Sequence, residues 1–165
     1  LAALAVVVQD RAEAAVREAI QAIPDGVYRS SVQNSPLGEV LTYPLTLTVR
    51  GDAIELDFAG TPPQLPRGGL NCTLNYTEAH ATYPLKCMLS PGVRGNAGCF
   101  RPFTVKAPEG SMLNATRPVA VNLRTRTGWY IAPNIFRALS EAAPAQVQAM
   151  TGLPVSVSTY GYDVE

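Results

Sequence analysis

The chain has 165 residues with 13 acidic and 13 basic side chains, and charged residues fill only 16% of positions, against roughly 25% in typical soluble domains. That balance removes the electrostatic case for a nucleic-acid or anionic-membrane partner. So little charge points instead to surface held against something else.

The opening LAALAVVVQD has an apolar run that stops at Val8, short of the roughly 20 residues a membrane helix needs. It also lacks the basic flank of a signal peptide. The chain starts at Leu1 without a methionine, so the expectation is a helix entered in its middle, within an interior piece of a longer protein. Leu1, Leu4, Val8, Ala15, Ala19 and Ile23 recur at helical spacing, and Glu13 lies one turn before Arg17. This predicts a helix over 1–23, ended by Pro24-Asp25-Gly26.

Three β-like runs follow at 26–32, 43–50 and 53–58. Leu45, Leu47 and Val49 alternate with Thr46 and Thr48, the pattern of a strand with one wet face. Gly51-Asp52 predicts an antiparallel hairpin, although the order Gly-Asp fits the strongest two-residue turns imperfectly. Ile54, Leu56 and Phe58 are expected in the core, with Glu55 and Asp57 on the opposite face and Asp57 directed toward Gly68–Asn71.

After the loop that starts at Gly60, residues 73–89 predict a helix with Leu74, Thr77, Ala81, Leu85 and Met88 on one side, kinked or split by Pro84. A second loop, SPGVRGNAGCFRP, leads to a short strand at 103–106 and a type I turn at Ala107-Pro108-Glu109-Gly110. Residues 119–124 read as strand, and 134–143 as helix, with Pro133 just inside its start and Ile135, Leu139 and Ala142 as its stripe. The tail VSVSTYGY alternates like a strand. With 13 glycines and 14 prolines, these elements describe a single α+β unit: a mixed or antiparallel sheet of short strands, flanking helices and long Gly/Pro-rich loops.

Little in the chain is self-contained chemistry. One histidine, His80, sits in a helical segment and reads as a packed residue before a catalytic base. No Cys/His cluster or acidic calcium loop has metal-binding spacing, so no metal site is expected in this stretch. Neither a P-loop nor a GxGxxG sequence is present. Cys72, Cys87 and Cys99 form no CxxC pair, which favours reduced thiols in a cytoplasmic protein. Cys99, beside Arg101, is either a thiol of lowered pKa or, in the simpler reading, a buried inert one. Three Asn-x-Thr triplets read as chance matches to the glycosylation pattern.

What stands out is a set of polar residues in turn-rich loops: Asp57 with Thr61, Asn71 after Gly68-Gly69, Asn96 with Arg101, then Glu109, Asn114 and Arg117. Each has the chemistry to tie loops through side chain to backbone hydrogen bonds. Clustered in one cleft, they would instead line a ligand site. No catalytic residue is assigned among them.

The series DFAGTPPQ (57–64), GGLNCT (68–73), NAGCFRPFTVKAPEGSMLNA (96–115), RPVAVNLRTRTGW (117–129) and ALSEAAPAQVQAMTGLP (138–154) strongly resembles the hydantoinase B/oxoprolinase family. The resemblance covers most of the chain from Gly26 onward. Family members often carry an acidic segment where this chain has the neutral loop Ser30 to Gly38. The resemblance implies part of an ATP-dependent hydrolase that opens hydantoin, 5-oxoproline or a lactam, working with a hydantoinase A-type partner or domain. The alternatives are part of an ATP-dependent ketone carboxylase subunit and a non-catalytic assembly domain. It also implies ATP with Mg and a divalent metal in the complete enzyme, the metal ligands lying upstream of this stretch. Glu109, Asn114 and Arg117 then read as wall and scaffold, and the apolar flank of the first helix predicts a homo-oligomer or larger complex.

Overall fold

The computed structural model describes residues 2–149. The tail strand expected from the sequence, and Leu1, lie outside them. The architecture is α+β in two layers, one four-stranded mixed sheet with helices over one face.

Helix α1 (Ala2–Gln21) is followed by strands β1 (Gly26–Asn34), β2 (Leu41–Arg50) and β3 (Ala53–Asp57). Then come α2 (Leu74–Leu89), a 3-10 turn (Ala97–Phe100), β4 (Phe103–Lys106), α3 (Arg124–Gly128) and α4 (Ile131–Leu139). The sheet order is β1-β2-β3-β4; the first two pairings are antiparallel and β3–β4 is parallel. A parallel return needs a crossover, and α2 lies within it.

Period-two burial fixes the register. Tyr43, Leu45, Leu47 and Val49 of β2, with Ile54, Leu56 and Phe58 at and after β3, are buried. The opposite face carries Thr46, Thr48, Glu55 and Lys106, with a Lys106–Glu55 ion pair at 2.7 Å. The hairpin pairs Arg50 with Ala53 and so has a two-residue loop. Gly51 has φ 60°, and among the described residues no non-glycine has positive φ. That combination is the type II′ form, which wants glycine first and explains the Gly-Asp order.

Helix α1 runs in the expected place, but its buried stripe is Ala12, Val16 and Ile20, joined by Ile23. Leu4 and Val8, expected on that stripe, are exposed. Alanines occur all round this helix, so the branched side chains set its phase, and a stripe counted through Ala15 and Ala19 drifts off it. The helix is anchored electrostatically as well. Arg17 bridges Glu13 (2.7 Å) and Asp52 (3.0 Å), while Arg101 reaches Asp10 (3.0 Å) and Glu13 (2.9 Å). Gly98 lets the 3-10 turn press against the same helix: a Cβ there would lie 2.0 Å from the Gln9 carbonyl oxygen.

Other expectations are corrected. β1 runs two residues past the expected 26–32, to Asn34, so only the second half of the neutral segment is loop; its Ser30 hydroxyl donates to the Asn134 side-chain oxygen at 2.7 Å. Helix α2 holds Pro84 within one continuous helix, so it is not split there. Residues 119–123 are irregular, and a short helix begins at Arg124; the β-branched residues there had mimicked a strand. Helix α4 starts at Ile131, before Pro133, and buries Ile131, Ile135, Ala138 and Leu139.

Candidate functional site

The carboxyl ends of the parallel pair β3–β4 point the same way, and each strand runs on into a long loop. Ligands gather at such ends in open α/β sheets. Here the loops, roughly 58–72 and 107–123, are laced together. Gln64 N–H donates to Gly110 O (2.8 Å), Met112 N–H to Pro62 O (2.9 Å) and Cys72 N–H to Met112 O (2.7 Å). Ala115 N–H returns to Cys72 O (2.9 Å), and Leu123 N–H donates to Gly69 O (2.8 Å).

Six of the eight candidate residues fall in or beside this knot. Asn71 is fully buried. Its Oδ1 accepts from Leu65 N–H at 2.7 Å, and its Nδ2 donates to the carbonyls of Leu65 (2.8 Å) and Ala120 (3.1 Å). Thr61 donates to Phe58 O (2.8 Å), and the Asp57 carboxylate accepts from Ala59 N–H (2.9 Å). Asp57 thus faces away from the core as expected, but its hydrogen bond goes to its own turn. Asn114 donates to Ala107 O at 2.9 Å. Glu109 and Arg117 are exposed and make no side-chain hydrogen bond or ion pair among the described residues.

The turn beneath Glu109 lies one residue later than the sequence reading placed it. Ser111 N–H donates to Pro108 O (3.1 Å), and Gly110, at φ 76°, is the third turn residue. A positive φ there marks a type II pattern, which demands glycine. Gly110 N–H is thereby freed to reach Asn114 O at 2.9 Å.

Asn96 and Arg101 are elsewhere, at the amino end of β4. Asn96 Oδ1 caps the 3-10 turn by accepting from Gly98 N–H (2.9 Å), and Arg101 is committed to the α1 carboxylates. In sequence only Pro102 and the four residues of β4 separate Arg101 from the signature APEGSMLNA. Sequence reading also missed members of the knot. Gln64 Oε1 accepts from Thr116 N–H at 2.7 Å, and Thr127 donates to Leu70 O at 2.6 Å. A signal for Gln64 did exist, since it directly follows two prolines in a loop.

Behind the knot sits a half-polar group. Burial pushes the Cys72 thiol up to about 12, despite nearby Arg124, and also raises the Tyr76 phenol. Tyr76 stacks on His80 with ring centroids 4.2 Å apart, and the Arg124 guanidinium lies 5.4 Å from the Tyr76 ring centroid. Burial lowers the His80 pKa, which favours a neutral, packed imidazole. Cys99 is buried as well. Among the described residues no three His, Cys, Asp or Glu side chains assemble into a metal-binding group. No helix there is long and apolar enough to cross a membrane.

Fold and knot together define a class: a one-sided mixed sheet whose parallel strands end in two loops tied main chain to main chain. The chain belongs to the hydantoinase B/oxoprolinase family, whose family profile matches residues 1–164. It is 29% identical over 153 residues to a protein of Pseudomonas sp. (strain NS671) provisionally named as the B-type subunit of a D-/L-hydantoinase, a match covering 85% of this chain and 26% of that protein. It is 29% identical to 5-oxoprolinase 1 of Arabidopsis thaliana over 94% of this chain and 13% of that one. The fold is similar to that of the ATP-dependent caprolactamase from Pseudomonas jessenii, with a TM-score of 0.75 at 25% identity, covering 84% of this chain and 24% of that chain. It is also similar to acetone carboxylase in its nucleotide-free structure, with a TM-score of 0.70 at 19% identity over 79% of this chain and 19% of that one; at that identity the likeness is one of fold. The chain therefore spans about a quarter or less of these relatives.

Proposed function

We propose that this chain is an interior part of a longer hydantoinase B-type subunit, within an ATP-dependent enzyme that opens cyclic amides such as hydantoin, 5-oxoproline or a lactam. The observation that carries the reading is the family match along residues 1–164, supported by the likeness to a caprolactamase. The complete enzyme works with a hydantoinase A-type subunit or domain, in the cytoplasm. ATP with Mg and a divalent metal act there, held by residues outside this stretch. When bound, ATP supplies a phosphoryl group that turns an unreactive amide oxygen into a leaving group for water attack.

This chain's own contribution is a rigid wall. Asn71, Thr61 and Asn114 spend their polar atoms on backbone groups, so they position the loops. Glu109 and Arg117, on the rim of the same knot, keep theirs for substrate or partner.

The test uses the complete protein with its partner, assayed for ATP-dependent opening of hydantoin, 5-oxoproline and caprolactam. Glu109→Gln and Arg117→Gln should each lower kcat/KM about tenfold or more, the loss of roughly 1.4 kcal/mol of transition-state binding, with the melting temperature unchanged. Full activity in both variants would make the knot a scaffold serving assembly alone. ATP-dependent carboxylation of a ketone, with no ring opening of any of the three amides, would overturn the hydrolase reading.

A further inference from the structure

Arg117 stands on the most thinly held part of the loop knot. Its exposed side chain makes no hydrogen bond or ion pair among the described residues, and its backbone has little more. On one side, Ala115 N–H is fixed to Cys72 O at 2.9 Å. On the other, Ala120 O accepts from Asn71 Nδ2 at 3.1 Å. Between those anchors, residues 116–119 have hydrogen bonds to one partner only among the described residues. Gln64 Oε1 accepts from Thr116 N–H at 2.7 Å and from the Thr116 hydroxyl at 3.4 Å. Pro118 has no N–H to add.

Gln64 is itself a fixed post. Pro62 and Pro63 precede it. Its own N–H donates to Gly110 O (2.8 Å), and the next N–H, that of Leu65, donates to Asn71 Oδ1 (2.7 Å). With the backbone pinned on both sides, the half-buried side chain crosses from one loop to the other. Glu109 does not depend on that side chain. Its turn is closed by Ser111 N–H on Pro108 O (3.1 Å) and by Gly110 N–H on Asn114 O (2.9 Å), and Asn114 Nδ2 donates to Ala107 O (2.9 Å). The bond from Gln64 N–H to Gly110 O is main chain to main chain, so it survives a change of side chain at 64.

We propose that Gln64 is a positioning residue for the ring-opening reaction: through Thr116, its amide oxygen sets where the Arg117 guanidinium stands, while Glu109 is held independently of it. An arginine is pre-oriented only as well as the Cα that carries it is fixed, and a misplacement of about 1 Å can cost on the order of 100-fold in rate. The inference rests on the reading that Glu109 and Arg117 act at the rim of the site. It adds that one of the two is aimed by a side chain from the opposite loop and the other is not.

The experiment is a pair of double-mutant cycles on the complete protein with its partner, assayed for ATP-dependent opening of hydantoin, 5-oxoproline and caprolactam. Gln64→Met keeps the length of the side chain and removes the acceptor; Gln64→Asn keeps the amide and shortens its reach, and serves if the methionine variant folds poorly. Either should lower kcat/KM roughly tenfold, moving whichever of kcat and KM Arg117→Gln moves. Combined with Arg117→Gln, either should add no more than about a twofold further loss, since both changes act through one group. Combined with Glu109→Gln, the losses should multiply to about 100-fold. Hydrogen exchange at the Thr116 amide should quicken about tenfold or more in the Gln64 variants while the Ala115 amide keeps its protection. Full activity in both Gln64 variants, with Arg117→Gln impaired, would overturn the inference and leave the ring-opening reading standing. Losses that multiply with Arg117→Gln as they do with Glu109→Gln, or unchanged exchange at Thr116, would overturn it too. Full activity in Arg117→Gln itself, or no ring opening by the wild type, would remove the reading and the inference with it.

Discussion

Asn71 offers the sharpest test of how the loop knot is held. Replacing it with alanine removes an acceptor for Leu65 N–H and donors to the carbonyls of Leu65 and Ala120, at 2.7, 2.8 and 3.1 Å. Net hydrogen bonds contribute about 1 kcal/mol each, and stranding a buried partner costs roughly a further 1–3 kcal/mol. Asn71 itself is fully buried, but Leu65 is only half-buried and Ala120 is exposed. Water can therefore replace part of what is lost, and the cost should stay near about 3 kcal/mol rather than rise toward about 5 kcal/mol. With a urea slope of about 2 kcal/mol per molar for a domain of this size, the unfolding midpoint should fall by roughly 1.5 M. Asn71→Asp is the discriminating companion. It keeps the acceptor for Leu65 N–H but turns a carboxylate toward two carbonyl oxygens, so at neutral pH it should be no more stable than the alanine variant. Urea titrations followed by circular dichroism, with exchange of the Leu65 amide measured in parallel, read both effects. A midpoint within about 0.3 M of wild type and a still-protected Leu65 amide would show that Asn71 does not hold the loops.

Gly98→Ala should cost about 2–3 kcal/mol, because a Cβ there meets the helix backbone at Gln9 rather than a flexible side chain; thermal melts check it, and a variant as stable as wild type would refute the close approach. Hydrogen bonds from Arg101 and then Arg17 hold the Glu13 carboxyl below its ordinary value of 4.5, so its contribution is present above that pH and fades as pH falls through the lowered pKa. Glu13→Gln should therefore be less stable than wild type near neutrality, with the gap closing below pH 4.5 in a series of urea melts; a gap that widens in acid would reverse the sign and the assignment. Native protein should show Cys87 reacting with a thiol reagent, while Cys72 and Cys99 react only after unfolding, since only Cys87 is exposed and burial holds the Cys72 thiol at about 12; prompt modification of Cys72 would contradict its placement.

The elements whose side chains alternate or stack on one face were legible in the sequence. β2 and β3 came through because threonines and carboxylates mark the wet face between Leu45, Leu47, Ile54 and Leu56. The phase of α1 did not, because alanine is cheap on any side of a helix and carries little facing information. The strand reading of 119–124 failed because β-branched residues in a short stretch respond to tertiary context more than to intrinsic preference. For the loop residues, sequence could supply the chemistry but not the neighbours. Asn71 and Asn96 look alike beside their glycines, yet one ties two loops together and the other caps a local turn. That distinction depends on the parallel return of β4, set by residues far from either asparagine.

Most of the ties between the two loops run from one peptide group to another. Such bonds are indifferent to what the side chains above them are, which makes the rim evolvable on a robust base. Substitutions at exposed positions such as Arg67, Glu109 and Arg117 change what the loops present to their surroundings at a stability cost expected within about 0.5 kcal/mol. The few positions that resist exchange are those where geometry is the message: Gly110 with its positive φ, and Gly69, where a Cβ would sit 2.1 Å from the Asn122 oxygen. A library that holds those fixed and varies the exposed rim would sample new surface chemistry while nearly every member still folds.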